Sequence, residues 1–165
     1  MKAALDVHYE EDRAAAACVV FESWSDSEPA ALLREVMPAA AAYRPGRFFE
    51  RELPCLLAVL DKAAVTFDTI LIDGYVHLGT GDGKGLGARL FEALPYPAVV
   101  IGVAKSPLAI AGPCVPILRG RSRKPLFVSA IGCTVQRAAR LVSSMHGPHR
   151  IPTMQRLADR HAHLG

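Results

Sequence analysis

Apolar and polar positions alternate near the start of the chain with the two-residue period that is typical of β-strands. Alternation over 3–9 predicts one strand, and a nearly continuous apolar run over 14–24 predicts a second. The polar residues 10–13 between them are few enough for a hairpin turn. Because side chains two positions apart lie on the same face of a strand, we expect Asp6 and His8 to share a face.

The next segments alternate between helical and strand patterns. Residues 28–42 stay undecided, since alanine and leucine favour a helix, Pro38 breaks one, and a strand over 31–37 fits equally well. The pattern then predicts helices over 49–63, 86–94, 134–145 and 153–163, and strands over 69–73, 98–103, 115–118 and 126–129. Leading strands followed by strand–helix alternation predict an α/β fold: a mixed sheet, antiparallel at its N-terminal strands and parallel in its second half, flanked by helices.

Length and composition limit the class of protein. The chain has 165 residues and a mass of 17.7 kDa, which predicts a single domain over 1–165. Hydrophobic residues make up 51% and charged residues 21%, a composition that excludes an intrinsically disordered protein. No apolar run approaches the roughly 20 residues that span a bilayer. Acidic residues from Asp6 onward interrupt any signal-peptide core, so we expect a soluble cytoplasmic protein.

Charge and cysteine content add little to this. The net charge is +3, which is compatible with a nucleic-acid partner but does not by itself indicate one. The four cysteines are far apart and form no C-x-x-C pair, so reduced thiols are expected. Cys18 and Cys55 lie among apolar residues and are predicted to be core side chains.

Three carboxylates occur where a charge is costly. Asp6 lies inside an apolar strand, Asp73 ends another, and Glu52 lies on a leucine-rich helix. Buried carboxylates are tolerated when they are paired, hydrogen-bonded or bound to a metal, and oxygen ligands suit Mg²⁺ or Mn²⁺. Two of them also have an ordinary interpretation: Asp73 with Gly74 is a common turn, and a helical Glu is usually solvated. Asp6 is harder to explain in this way, because strand interiors disfavour Asp.

Basic residues supply two more candidates. Lys105 directly follows the apolar strand over 98–103, at a strand end where α/β proteins place their sites, although a lone lysine is more often an exposed surface residue. The loop that contains Arg119, Arg121 and Arg123 could bind a nucleic-acid backbone or could simply be a solvated turn.

The order of these segments resembles the endonuclease V family, deoxyinosine-directed nucleases of ribonuclease H-like fold. Single pieces are short, but together they are specific and cover essentially the whole chain. The matching segments are Leu5-Asp-Val-His-Tyr9, Tyr43-Arg-Pro-Gly46, Arg51-Glu-Leu-Pro54, Ile70-Leu-Ile-Asp-Gly74, Ile101-Gly-Val-Ala-Lys-Ser106, Pro125-Leu-Phe-Val-Ser129, Arg150-Ile-Pro152 and Arg156-Leu-Ala-Asp159.

The resemblance implies roles for individual residues. Asp6 and Asp73 would bind Mg²⁺ or Mn²⁺, with Glu52 beside the metal or its water, and Lys105 would lie at the scissile phosphate. It also implies a wedge that parts the DNA strands near the altered base, formed by Tyr43, Pro45 and Gly46. Gly74 and the arginines of the 119–124 loop complete the expected nucleic-acid contacts.

The sequence departs from the family pattern at one metal ligand. The family is expected to place a His or Asp after the closing strand, but no His, Asp or Glu occurs between Leu126 and Met145. His8, His77 and Cys133 remain open as replacements. Three functions therefore stay open. The first is a metal-dependent endonuclease that cleaves 3′ to a deaminated or distorted base, and the second is a degenerate homologue that binds altered or branched nucleic acid without cleaving it. The third is a protein–protein interaction domain with a disused site. DNA is the expected partner, with RNA or single strands and the oligomeric state left open.

Overall fold

A computed structural model describes residues 1–39, 49–79 and 81–163. In this part of the chain the strands are β1 (Lys2–Tyr9), β2 (Arg13–Phe21), β3 (Ala31–Pro38), β4 (Thr69–Asp73), β5 (Val99–Ala104), β6 (Val115–Ile117) and β7 (Leu126–Ile131). The helices are α1 (Phe49–Ala63), α2 (Leu86–Ala93), α3 (Val135–Ser144) and α4 (Thr153–Ala162). None of these helices is long and apolar enough to span a membrane.

The strands form one mixed sheet in the order β3-β2-β1-β4-β5-β7-β6. The strands β1, β4 and β5 run parallel in its centre, and the others pair antiparallel on both sides of them. The predicted α/β class with antiparallel N-terminal strands is therefore confirmed. The parallel part is the centre of the sheet, not its whole second half, because β7 runs antiparallel to β5.

Helices cover both faces of the sheet. One face packs against α1 and α2 through Leu56, Val59 and Leu90, and the other against α3 and α4 through Val142 and Met154. Alternation in the central strands divides their side chains between these two cores, since Ile70 and Ile72 face α1 while Leu71 faces the opposite layer. Cys18 and Cys55 are fully buried, as predicted.

The segment that the sequence left undecided forms the edge strand β3. Every residue from Ala31 to Pro38 pairs with β2. Pro38 is tolerated because it is the last residue of an edge strand, where a missing N–H costs no ladder hydrogen bond. Pairing with the free edge of β2 therefore decides between the helical and the strand preference of this segment.

Candidate active site

The parallel strands bring three predicted residues to one edge of the sheet. In the register of β1 and β4, Ala4 lies opposite Leu71, and two residues further along each strand are Asp6 and Asp73. The next strand continues the edge, since Asp73 pairs with Val103 and Lys105 follows the end of β5. The carboxyl ends of these strands therefore hold both aspartates and the lysine side by side.

Glu52 reaches the same edge from the first turn of α1. Together with Asp6 and Asp73 it lines a narrow cleft of about 10 Å³, whose other walls are apolar. A space of this size holds a single water molecule or ion. The aspartates come from the sheet and Glu52 comes from the helix layer, so the three carboxyls converge from two structural layers.

Burial and neighbouring negative charge raise the pKa of two of these carboxyls, Asp6 and Glu52. Burial raises the pKa of Asp6 from its ordinary 3.8 to about 7, and the nearby charges of Asp73 and Asp159 add to this increase. Burial likewise raises the pKa of Glu52 to about 8, with further increases from Asp6 and Asp73. Ionised carboxyls are therefore unfavourable at this edge of the sheet, and a bound cation would relieve that cost.

Asp159 is a fourth carboxylate that the sequence did not assign to the site. It lies on α4, which packs across β1 and β2, and its charge is close enough to Asp6 to raise the pKa of the Asp6 carboxyl. The segment after β7 lacks the expected His or Asp ligand. Asp159 on α4 is a carboxylate that could take its place. The signal in the sequence was weak, because a lone Asp on an amphipathic helix is usually a solvated residue.

The structure also distinguishes between the three proposed replacements for that ligand. Cys133 lies at the opposite edge of the sheet, because β7 runs antiparallel and ends beside Val100, near the start of β5. His77 lies in a β-bridge with Lys84 and does not line the carboxylate cleft. His8 lies beside the site, and its ring stacks on that of His163 at a centroid distance of 3.8 Å.

Lys105 is paired with one of the aspartates. Its Nζ lies 3.2 Å from Asp73 Oδ2, and both side chains are partly exposed. The Tyr75 hydroxyl, from the loop after Asp73, donates a hydrogen bond of 2.7 Å to the backbone carbonyl of Ser106. The loops that follow β4 and β5 are thus joined by an ion pair and by a hydrogen bond.

These carboxylates suit a hard divalent cation in the kind of atom they offer. Asp6, Glu52, Asp73 and Asp159 present only oxygen atoms, which Mg²⁺ and Mn²⁺ prefer, and burial together with neighbouring negative charge raises the pKa of Asp6 and of Glu52. Within residues 1–39, 49–79 and 81–163, no three His, Cys, Asp or Glu side chains lie in an arrangement that would hold an ion as they stand. The Lys105 ammonium already neutralises part of the charge on Asp73.

A larger, mostly apolar cleft opens beside Asp73. Its volume is about 280 Å³, and it continues from the carboxylate edge along the loops that follow β4 and β5. The side chains of Leu108 and Ile110 remain partly exposed at this cleft. Gly74 lies at its junction with Asp73 and has a φ of +129°, a conformation that favours glycine. The cleft offers a mostly apolar lining next to the acidic edge.

The basic loop over 119–124 divides into a buried and an exposed part. Arg119 was expected to contact a nucleic-acid backbone, but it is only 6% exposed, and its guanidinium donates to four backbone carbonyls, those of Met145, Gly147, His149 and Arg150. Its role here is structural, because these bonds fix the segment between α3 and α4. Arg121 and Arg123 are exposed at the same loop and available to solvent.

Arg119→Met should therefore lower stability without removing an exposed charge. We expect a loss of about 2–4 kcal/mol in the free energy of unfolding, because several buried carbonyls lose charged donors. Arg121→Met, an equal change at an exposed position, should stay within about 0.5 kcal/mol. Urea unfolding of both variants measures the difference, and equal stabilities would contradict the structural role of Arg119.

The remaining predicted contacts are Tyr43, Pro45 and Gly46. They lie outside the residues that the structure describes, so their predicted role as a strand-parting wedge stays a prediction.

Comparison with known proteins places this geometry in context. The family model described as Endonuclease V matches residues 1–116. The fold is similar to the human ENDOV crystal structure (24% identity, TM-score 0.78, covering 98% of this chain and 82% of that one). It is also similar to Endonuclease V from Streptomyces avermitilis (28%, 0.75, 96% and 77%). A third similar structure is Ciona intestinalis Endonuclease V in complex with a 24mer DNA containing an inosine followed by a ribo-adenosine (19%, 0.81, 98% and 83%). A search of curated protein sequences found no significant match.

Proposed function

Because the chain belongs to the endonuclease V family, we propose that it is a divalent-metal-dependent endonuclease of DNA repair. Its reaction would be hydrolysis of a phosphodiester on the 3′ side of a deaminated base, deoxyinosine above all, or at distorted DNA. The observation that carries this proposal is the convergence of Asp6, Glu52, Asp73 and Asp159 with Lys105 at one sheet edge. We place it in the cytoplasm, as one domain over 1–165.

The residues that would hold Mg²⁺ or Mn²⁺ are Asp6 and Asp73, with Glu52 and Asp159 beside them. A divalent cation bound there would polarise the phosphate and make the attacking water more acidic. Burial and neighbouring carboxylates raise the pKa of Asp6 and of Glu52, and a cation at this edge would favour the ionised form of both, which supports the assignment.

The other steps belong to the side chains themselves. The Lys105 ammonium exchanges its contact with Asp73 for a non-bridging phosphate oxygen and stabilises the charge that develops there. A Glu52 carboxylate oxygen accepts the proton of the attacking water. Both groups lie at the ends of regular elements of the fold, so their geometry is largely organised before substrate arrives.

The apolar cleft beside Asp73 would receive the altered base. A base swung out of the duplex needs an apolar surface to replace stacking, and Leu108 and Ile110 supply one next to the carboxylates. Gly74 allows the backbone to approach the base closely. The 43–46 segment would fill the gap left in the duplex, and Arg121 and Arg123 would contact backbone phosphates.

Binding without cleavage is the weaker alternative. It rested on a missing third acidic ligand, and Asp159 provides a carboxylate whose charge raises the pKa of Asp6. The two functions differ in a simple experiment, because a binding module would retain its DNA in the presence of a chelator and leave the strand intact.

The decisive assay mixes the purified protein with a labelled duplex that contains one deoxyinosine, in the presence of Mn²⁺. We expect a nick 3′ to the lesion, leaving 3′-hydroxyl and 5′-phosphate ends, and none in EDTA. A duplex with adenine at the same position is the substrate control. Absence of nicking, or equal nicking by Asp6→Ala, would refute the enzymatic function. Salt-dependent binding without any nick would support the alternative.

Asp159→Asn tests the carboxylate that the structure adds to the site. The change keeps the shape of the side chain but removes its charge, so we expect nicking to fall by about 10- to 100-fold, the range for groups that support metal ligands. Asp61→Asn, at an exposed position near the far end of α1, is the matched control and should nick like the wild type. Equal rates for Asp159→Asn and the control would remove Asp159 from the site.

A further inference from the structure

Arg150 connects the loop that carries Lys105 to the loop that precedes β7. Its Nε donates to the Lys124 carbonyl at 3.0 Å, and its Nη2 donates to the carbonyls of Pro125, at 2.8 Å, and of Lys105. One guanidinium therefore binds three backbone carbonyls that belong to two different loops. The planar fork of arginine suits this arrangement, because its N–H groups diverge at fixed angles.

Lys105 lies just beyond the end of the backbone hydrogen bonds between β5 and β7, so its carbonyl needs a donor from elsewhere. The pairing between β5 and β7 ends at Ala104 and Phe127, one residue before the lysine. Pro125 has no N–H with which to continue the ladder. The Arg150 guanidinium supplies donors where the sheet stops, and Tyr75 holds the next residue, Ser106, from the opposite side.

Arg150 is itself held in place. The Arg119 guanidinium donates to the carbonyls of His149, at 2.7 Å, and of Arg150, at 3.3 Å. Because Arg119 is buried and bonded to the whole segment between α3 and α4, the backbone at Arg150 is fixed. The direction of the Arg150 guanidinium toward Lys105 is thus set by a buried residue.

We propose that Arg150 is a positioning residue for Lys105. It fixes the backbone from which the lysine side chain extends to the carboxylate edge, and it acts through Lys105 and not through direct contact with the nucleic acid. This inference rests on the proposed nuclease function, in which Lys105 meets the scissile phosphate. Three carbonyl contacts of one guanidinium distinguish this role from that of a phosphate ligand, whose donors would face solvent.

The first test compares Arg150→Met and Arg150→Lys in single-turnover nicking of the deoxyinosine duplex. We expect Arg150→Met to slow the step by about 10- to 100-fold, because small displacements of a catalytic group have effects of this size. The dissociation constant for DNA, measured in EDTA, should stay within about threefold. Arg150→Lys should recover part of the rate, since an ammonium can replace some of the carbonyl contacts. Arg140→Met, at an exposed position on α3, is the matched control.

A double-mutant cycle with Lys105→Ala separates positioning from direct contact. If Arg150 acts through Lys105, the double variant nicks no more slowly than Lys105→Ala alone. Additive losses would overturn the proposal. Weaker DNA binding by Arg150→Met, with a smaller salt dependence, would also overturn it, because both indicate a direct phosphate contact.

Hydrogen exchange provides a readout that does not depend on activity. The backbone amides of residues 105–111 should exchange faster in Arg150→Met than in the wild type, and at the wild-type rate in Arg140→Met. Unchanged exchange in Arg150→Met would overturn the proposal even in an active enzyme. If the wild type does not nick at all, the proposed function fails, while faster exchange would still show that Arg150 holds the backbone at Lys105.

Discussion

Asp6→Asn should abolish nicking and, in the absence of metal, stabilise the protein. We expect the rate to fall by at least about 100- to 1000-fold, since a charged group at the reacting centre is lost. The folded-state pKa of Asp6, about 7, lies above its ordinary value of 3.8. In a buffer at pH 8 that contains EDTA, the ionised carboxyl therefore destabilises the fold, and asparagine removes this penalty.

The stability gained by Asp6→Asn should depend on pH, because the pKa of Asp6 is raised on folding. A group whose pKa is raised on folding contributes its full stability below the unfolded value, and this contribution is lost as the pH rises toward 7. The Tm advantage of Asp6→Asn should therefore be small near pH 4 and grow between pH 4 and 7. In a chain of this size each kcal/mol gained raises the Tm by about 2–4 °C.

Thermal unfolding with and without Mn²⁺ measures how the Asp6 carboxyl changes the Tm in each condition. Mn²⁺ should raise the Tm of the wild type and raise that of Asp6→Asn much less, because the variant lacks a ligand. A variant that is less stable than the wild type at pH 8 in EDTA would contradict the cost of burying the ionised Asp6 carboxyl beside other carboxylates.

Gly102→Ala should disrupt the loop that follows Asp73. A methyl group at this position in β5 would lie 2.7 Å from Ser129 Oγ and closer still to the carbonyl of Gly74. We expect a loss of about 1–3 kcal/mol in the free energy of unfolding, as in other overpacked cores. The nicking rate should also fall, by more than the loss of stability explains, because the displaced backbone carries the edge with Asp6 and Asp73.

The control for this substitution is Gly79→Ala. There the added methyl would come no nearer than 3.3 Å to another heavy atom, and the backbone is not in the left-handed region. Ser129→Ala provides an independent comparison: it removes the hydroxyl that accepts from the buried Val76 N–H at 3.0 Å, so it loosens the same loop without crowding it. Equal Tm values for Gly102→Ala and Gly79→Ala would contradict the close packing around Gly74.

Local patterns in the sequence were enough to predict most elements of this fold. The helix over Phe49–Ala63 and the strand over Thr69–Asp73 have the predicted bounds, because leucines at helical spacing and a short apolar run ending at Asp-Gly are local signals. The edge strand β3 was not decided, because its conformation depends on pairing with β2. Propensity contains no information about that partner.

The part of the candidate site that lies at the ends of strands could be predicted from the sequence. Asp6, Asp73 and Lys105 could be grouped because parallel strands align their carboxyl ends. Asp159 and Cys133 could not be placed, since one depends on where α4 docks and the other on the direction of β7. The burial of Arg119 was equally hidden, because its four carbonyl partners lie in a segment remote in sequence.

The docking of α4 against β1 has a consequence for how the protein is made. Asp6 and Asp159, whose charges interact, lie about 150 residues apart in the sequence. During synthesis the strand with Asp6 leaves the ribosomal exit tunnel before α4 does. A nascent chain therefore exposes Asp6 until α4 has emerged, and the carboxylate edge is complete only after α4 has docked.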